Sequence, residues 1–188
     1  MFPDPMKLVS RRLQSRLLPP EEWLAAENAV RVEWMTGFRM SFRSSVIQQV
    51  GFNENLGRYA LYEDIDAGLR VLANGHSLVA ARNASIYHHK APERRTGGRQ
   101  IGAINILNRA YVTMRTGVAD ESVKAALKRH ARFRVLQFSA GTRSSYGKER
   151  LSGAKAAYDC LPTLLASEPS QLDDVYNRLR ENCLAGET

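Results

Sequence analysis

The sequence has 188 residues, of which 44% are hydrophobic and 24% are charged, and its formal net charge is +8. This composition is typical of a globular protein and excludes wholesale disorder. No apolar run approaches the roughly 20 residues that a membrane span needs, and the first residues lack a signal-peptide pattern. The two cysteines, Cys160 and Cys183, lie far apart in the sequence. They exclude a disulfide framework and a cysteine-rich zinc site, and they favour a reducing, cytosolic setting.

Residues 1–30 are predicted to form a helical N-terminal segment. Residues 5–18 place apolar side chains on one helical stripe, which is surrounded by Arg11, Arg12 and Arg16. Such a stripe packs on its own domain or, as the alternative, lies on an anionic membrane surface. Pro19 and Pro20 end this helix, and Glu21 begins a short second one.

Residues 31–98 are predicted to form an α/β segment. Its predicted elements are an extended stretch over 31–43, a helix from Ser44 or Ser45 to Gly51, a loop over 52–62, a helix from Glu63 to Ala73, and short strands at Ser77–Ala81 and Ala84–Tyr87. A loop rich in Pro, Gly and Arg follows. Residues 99–188 are predicted to form an α-helical extension, with helices over 99–116, 119–138, 147–160 and 170–183.

The positive charge is confined to one block. Residues 82–134 contain twelve Lys and Arg against three Asp and Glu, whereas residues 1–81 are neutral and residues 135–188 carry a net charge of −1. A basic block of this kind indicates an anionic partner such as a diphosphate, a lipid headgroup or a nucleic acid. The alternative is a pair of helices with solvated basic faces.

The stretch from Trp34 to His89 carries the most informative motifs. In chain order they are Trp-Met-Thr-Gly at 34–37, Met-Ser-Phe-Arg at 40–43, Gly-Phe-Asn-Glu at 51–54, Glu-Asp-Ile-Asp at 63–66, Asn-Gly-His at 74–76 and a strand that ends in His88 and His89. This order resembles the acceptor half of the family 2 inverting glycosyltransferases of the GT-A fold, over about residues 31–115. The resemblance implies the C-terminal half of a GT-A-like mixed α/β sheet, followed by the α-helical extension.

Two adjacent carboxylates are the predicted catalytic groups. Glu63 and Asp64 lie at a loop-to-helix junction, where the helix dipole favours an ionised carboxylate that can act as a general base. The resemblance implies that Asp64 deprotonates the acceptor hydroxyl and that Glu63 binds the acceptor or positions the base. The alternative is that these acids only stabilise the helix start, with Asp66 pairing with Arg70.

A divalent metal ion, Mn²⁺ or Mg²⁺, is implied by the resemblance, with His88 as its ligand. Neutral imidazole at a strand end is a suitable ligand for such ions. His89 is the adjacent candidate because side chains alternate along a strand, and a purely structural histidine is the alternative. Asp64, Ile65 and Asp66 spell D-x-D, but the metal-binding D-x-D of the resembled family lies upstream, in its nucleotide-binding half.

Two further groups of side chains are predicted to bind substrates. The donor diphosphate is assigned to the basic loop residues Arg94, Arg95 and Arg99. The acceptor is assigned to Trp34, Gly37 and Asp66. The alternatives are an exposed basic loop without a function and a tryptophan buried in the core.

The sequence therefore predicts a glycosyltransferase that transfers a sugar, with inversion, from a nucleotide-diphosphate donor to a glycan or lipid-linked hydroxyl acceptor. Residues 1–30 are too short to build the nucleotide-binding half of the family, so a fragment without that half is expected. The expected location is the cytoplasm, or the inner membrane face as a peripheral protein. The alternative is a non-catalytic basic module that binds nucleic acid or an anionic membrane. Nucleic acid is disfavoured, because aromatic residues are sparse in the basic block.

Overall fold

The computed structural model describes residues 29–32, 34–35, 37, 40–57, 59–81, 96–117 and 119–185. The chain divides into two compact units, Met1–Pro92 and Glu93–Thr188. The described elements of the first unit are β1 (Ala29–Val32), α1 (Ser44–Val50), a 3₁₀ turn (Glu54–Leu56), α2 (Glu63–Ala73) and β2 (Leu78–Ala81). Those of the second unit are α3 (Gly98–Met114), α4 (Glu121–Ser139), α5 (Ser145–Leu165), a 3₁₀ turn (Pro169–Gln171) and α6 (Leu172–Leu184).

The first unit packs its helices beside a small antiparallel sheet. β1 pairs with β2, and Val32 lies opposite Leu78 in the register. Val50 of α1, Val71 of α2 and Leu78 of β2 form a buried apolar cluster. Half-buried apolar residues pack against this cluster; they are Val32, Met35, Phe42, Val46 and Leu72. This small core fixes the start of α2 relative to the segment that follows β1.

Helix α2 begins and ends where the sequence predicts, at Glu63 and Ala73. Its first turn carries three acidic residues, which stabilise the positive end of the helix dipole. Gly75 lies two residues after its end, and its φ of +80° is in the left-handed region that glycine adopts at little cost. Helix α1 and the four helices of the second unit are also confirmed, with ends shifted by a few residues.

The predicted α/β class is wrong. The described residues contain a single two-stranded antiparallel sheet, and helices make up most of the rest. We expected residues 31–43 to be extended. Among the described residues of this stretch, only residues 31 and 32 belong to a strand. The apolar side chains Met35 and Phe42 pack on the first unit's core without a strand ladder, because apolar residues satisfy burial in irregular backbone as well as in a sheet. The predicted strand at 84–87 lies outside the described residues.

The second unit is a helical bundle built around α3. Residues 102–113 of α3 are buried without interruption, so the helix is covered on all sides, as expected for a central helix. Helices α4, α5 and α6 pack against it. Helix α5 extends past its predicted end at residue 160 and through Pro162, because Leu161, Leu164 and Leu165 continue its buried face. None of the described helices combines the length and the apolar character needed to cross a membrane.

Glycines allow α3 and α5 to touch through their backbones. A Cβ atom added at Gly102 of α3 would overlap the carbonyl oxygen of Arg150, and one added at Gly153 of α5 would overlap that of Arg99. Gly98 repeats this arrangement one turn before Gly102. Close approach of two helix backbones needs small residues at the contact. The glycine spacing is visible in the sequence, but the helix that it contacts is not.

Aromatic and polar contacts fasten α6 to α3. The rings of Tyr111 and Tyr176 stack with centroids 3.9 Å apart. The Tyr176 hydroxyl donates to Oδ1 of Asn108 over 2.8 Å, and the Tyr111 hydroxyl donates to Oδ1 of Asp173 over 2.7 Å. Both hydroxyls are therefore satisfied, which offsets the cost of burying them.

A neutral histidine lies beside two arginines in this bundle. Burial, together with the positive charges of Arg109 and Arg134, lowers the pKa of His130 from 6.5 to about 3. Nη1 of Arg109 lies 3.4 Å from Nδ1 of His130. The folded protein therefore resists protonation of His130, whereas the unfolded chain accepts a proton near its ordinary pKa.

We predict that this histidine makes the bundle sensitive to acid. The contribution of His130 to stability is complete above about pH 6.5 and is lost progressively toward pH 3, by about 1.4 kcal/mol per pH unit at most. Between pH 7 and pH 5 the expected loss is about 2 kcal/mol. Denaturant unfolding followed by circular dichroism at several pH values measures it. His130→Gln should flatten this dependence, and an identical slope in the variant and the wild type would refute the assignment.

Candidate active site

Helix α2 begins with the carboxylates of Glu63 and Asp64, and the residue before them has unusual backbone geometry. Tyr62 has a φ of 76°, and it is the only non-glycine residue with a positive φ among those described. Such a conformation costs a residue with a side chain about 1–2 kcal/mol. Strain of this kind persists only where the surroundings impose it, and it clusters at functional sites. Here the strained residue directly precedes the two carboxylates.

The Asp64 carboxylate is held at both oxygen atoms by backbone N–H groups. Ile65 donates to Oδ1 over 2.9 Å, and Gly37 donates to Oδ2 over 3.1 Å. Gly37 precedes Asp64 by 27 positions in the sequence, so the tertiary fold brings it to the site. The Asp64 side chain is half-buried, whereas Glu63 and Gly37 are exposed. A fixed carboxylate that keeps access to solvent is the arrangement that a general base requires.

Gly37 leaves room above the two carboxylates. A Cβ atom at this position would lie 3.6 Å from Cβ of Asp64 and 3.8 Å from Oε1 of Glu63. These are ordinary contact distances, so a side chain here would cover the carboxylates without a steric clash. The structure therefore brings together three predicted site residues, Gly37, Glu63 and Asp64.

The environment makes both carboxylates more basic than usual. Burial raises the pKa of Asp64, and the hydrogen bonds from Gly37 and Ile65 oppose that rise without cancelling it. The pKa of Glu63 is also raised, first by partial burial and second by the negative charge of Asp64. A raised pKa strengthens a carboxylate as a proton acceptor while it remains ionised near neutral pH.

Asp66 contacts the residues that support the site. It is 4% exposed, and its Oδ1 accepts a hydrogen bond from Nδ2 of Asn53 over 3.4 Å. Its Oδ2 lies 3.9 Å from Nη1 of Arg70. The same arginine donates through Nη2 to the carbonyl oxygen of Val50. The pairing with Arg70 is the structural alternative that the sequence offered. These contacts hold α2 against the end of α1.

The other predicted site residues lie apart from the carboxylates or outside the described residues. Trp34 is half-buried in the segment that follows β1. Arg99 belongs to the second unit, where Nε donates to the carbonyl of Cys183 over 2.7 Å and Nη1 donates to Oγ of Ser152 over 2.8 Å. Four of the predicted site residues, His88, His89, Arg94 and Arg95, lie outside the described residues, as does the predicted apolar stripe at 5–18 with its arginines.

The described residues do not assemble a metal site. No group of three or more His, Cys, Asp or Glu side chains in the described part of the chain could hold a metal ion. Glu63 and Asp64 supply two carboxylates, and Asp66 is engaged with Arg70 and Asn53. The assignment of Mn²⁺ or Mg²⁺ to His88 stays a prediction.

Two contributors to the site were not identified from the sequence. Tyr62 belongs to the quoted motif region, but its left-handed backbone has no sequence signal, since such positions usually carry Gly or Asn. Asn53 lies in the Gly-Phe-Asn-Glu motif, and its side chain both caps the following 3₁₀ turn and contacts Asp66. The motif order could have suggested a role for Asn53, because it placed this turn next to the acidic helix.

Comparison of this chain with known protein families, with curated proteins and with solved structures finds no match. The carboxylate site is therefore assessed on its own geometry.

Proposed function

We propose that this chain carries the acceptor side of an inverting glycosyltransferase, with Asp64 as the general base. The observation that carries the proposal is the half-buried Asp64 carboxylate, which is fixed by Gly37 and Ile65 and has a raised pKa. The order of motifs from Trp34 to His89, similar to that of family 2 enzymes, supports it. The proposal does not depend on a mixed sheet.

The chemistry is a single displacement. The acceptor hydroxyl oxygen attacks the anomeric carbon of the donor sugar while a carboxylate oxygen of Asp64 takes the hydroxyl proton. The bond between the anomeric carbon and the diphosphate breaks on the opposite face, so the configuration inverts and a nucleoside diphosphate leaves. The adjacent Glu63 is exposed and is free to bind an acceptor hydroxyl. Trp34 contributes apolar surface to the acceptor.

The test is an assay of acceptor-dependent nucleoside diphosphate release. The chain, extended by a nucleotide-binding half, is incubated with a panel of nucleotide-diphosphate sugars, with and without glycan or lipid-linked hydroxyl acceptors, in the presence of Mn²⁺ or Mg²⁺. Release that depends on both substrates and is lost in Asp64→Asn supports the proposal. Full activity in that variant would refute the role of Asp64.

A second candidate function, binding to an anionic membrane surface, is favoured by the outer face of α4. This face carries three exposed basic residues and two exposed apolar ones, namely Lys128, Arg129, Arg132, Phe133 and Leu136. Phe133 is 58% exposed and Leu136 is 69% exposed, both high for large apolar side chains. Apolar side chains flanked by cations suit a lipid surface, since the rings and methyl groups enter the headgroup boundary while the cations meet anionic lipids. Binding to nucleic acid would leave the exposed Leu136 without a role.

We predict that the chain co-sediments with vesicles containing phosphatidylglycerol but not with vesicles of phosphatidylcholine alone. The double variant Arg129→Glu/Arg132→Glu should weaken binding about tenfold or more, since each cation contributes about 1 kcal/mol at such a surface. Lys148→Glu/Lys155→Glu makes the same charge change at exposed positions of α5 and is the matched control. Equal loss in both variants would indicate a general charge effect. Tight, salt-dependent binding to unrelated DNA, without vesicle binding, would favour a nucleic-acid module instead.

A further inference from the structure

The two cysteines that are distant in sequence are neighbours in the folded second unit. Cys160 of α5 and Cys183 of α6 are 23 positions apart, and their Sγ atoms lie 3.5 Å from each other. Both are free thiols. Cys183 is buried and Cys160 is half-buried. The packing of α6 on α5 therefore creates a thiol pair of which one member can be reached from solvent.

The contacts around the pair give the two thiols different roles. Sγ of Cys160 lies 3.5 Å from the carbonyl oxygen of Ala157 as well as from Sγ of Cys183. When Cys160 is ionised, the Cys183 thiol donates to it, and this hydrogen bond lowers the pKa of Cys160. The same interaction, together with burial, raises the pKa of Cys183. Cys160 is thus both the more accessible and the more readily ionised thiol, as a reactive cysteine must be.

We propose that Cys160 and Cys183 form a peroxide-sensitive pair that closes to a reversible disulfide. The Cys160 thiolate attacks one oxygen of hydrogen peroxide, the O–O bond breaks, and the products are the sulfenic acid of Cys160 and hydroxide. The Cys183 sulfur then attacks the sulfur of that sulfenic acid, an S–S bond forms, and the S–O bond breaks. The Cys183 proton and the departing hydroxide form water. In sum, two thiols are oxidised and one peroxide is reduced to two waters; a dithiol reductant reverses the bond.

The surrounding contacts favour this closure. Arg99 holds the end of α6 through the Cys183 carbonyl and holds α5 through Ser152. Cys183 therefore stays beside Cys160 during the first step, and the second step needs only a small approach of two sulfur atoms. A cross-link between α5 and α6 restricts the unfolded chain, so oxidation should raise the melting temperature of the second unit by roughly 10–20 °C.

The experiment is peroxide titration of the full chain followed by alkylation of the remaining thiols and peptide mapping. After tryptic digestion the expected product joins the peptide 156–178 to the peptide that begins at Glu181, and the protein stays monomeric on a non-reducing gel. Treatment with dithiothreitol should release the two peptides. Recovery of both thiols in alkylated form after peroxide treatment, or a cross-link between two chains instead, would overturn the proposal.

Two single variants separate the roles of the thiols. In Cys183→Ser, oxidation should stop at a sulfenic acid on Cys160 that reacts with dimedone. In Cys160→Ser, the buried Cys183 should react at least about tenfold more slowly than Cys160 does in the other variant. Equal rates, or faster reaction of Cys183, would contradict the assignment. Both variants are checked by circular dichroism, and if either fails to fold, alkylation rates of the two thiols in the reduced native wild type supply the same comparison.

Discussion

Replacement of Asp64 by Asn should lower acceptor-dependent nucleoside diphosphate release about 10³-fold. The carboxylate is the proposed proton acceptor, and an amide of the same shape cannot take a proton at neutral pH. Because Asn has the same shape and keeps one oxygen that can accept from the N–H of Gly37, only the hydrogen bond from Ile65 is lost and the fold of the unit should persist. Steady-state kinetics should therefore show the loss in kcat, with little change in the KM for the acceptor.

Glu54→Gln is the matched control for this variant. Glu54 is an exposed carboxylate of the same unit and lies in the 3₁₀ turn before α2. Its neutralisation should leave the rate unchanged within about twofold, since it removes the same charge without touching the site. Equal losses in Asp64→Asn and Glu54→Gln would show that net charge, and not a base, controls the rate.

Asp64→Asn should also change the way in which stability depends on pH. The pKa of Asp64 is raised in the folded protein, mainly by burial. A group of this kind favours folding below its unfolded pKa, and that contribution is lost as the pH rises through the folded pKa. The melting temperature of the wild type, measured relative to that of Asp64→Asn, should therefore fall between pH 3 and pH 7. A relative melting temperature that rises over this range would contradict the direction of the pKa shift.

Replacement of Gly102 by Ala should destabilise the second unit by about 3 kcal/mol or more, one of the larger effects expected of a single methyl group. In an ordinary helix interior the same change stabilises by about 1 kcal/mol, because Ala is the better helix former. Here the added Cβ would overlap the carbonyl oxygen of Arg150 and lie 2.8 Å from the amide nitrogen of Ala154. Both atoms are backbone and cannot move aside, so α3 and α5 must separate. Denaturant unfolding measures the difference.

Gly141→Ala tests the same substitution where the obstacle can move. Its Cβ would meet Nη2 of Arg150 at 2.9 Å, the far end of a flexible side chain. We expect a change of less than about 1 kcal/mol. If Gly102→Ala were as mild as Gly141→Ala, the helices would not be in backbone contact at Gly102, and the described packing of α3 on α5 would be incorrect.

Helices with clear termini could be predicted from the sequence. Helix α2 has acidic residues at its start and Asn-Gly at its end, and these local signals suffice because capping and dipole effects act within one turn. The carboxylate pair could be recognised for the same reason. The strand β2 could be predicted, since Leu78–Ala81 lies within the expected strand at 77–81. Its pairing with β1 could not, because it joins residues 46 to 52 positions apart, and apolar residues such as Phe42 pack equally well outside a strand.

By itself, the sequence determined the positions of the helices, the location of the positive charge and the adjacency of Glu63 and Asp64. The tertiary structure decided which of these residues have functional partners. It placed the N–H of Gly37 on Asp64, turned Asp66 toward Arg70, engaged Arg99 with Cys183 and brought Cys183 to Cys160. The physical reason is that capping and periodicity are local, whereas hydrogen bonds, pKa shifts and thiol contacts depend on distances that only chain packing sets.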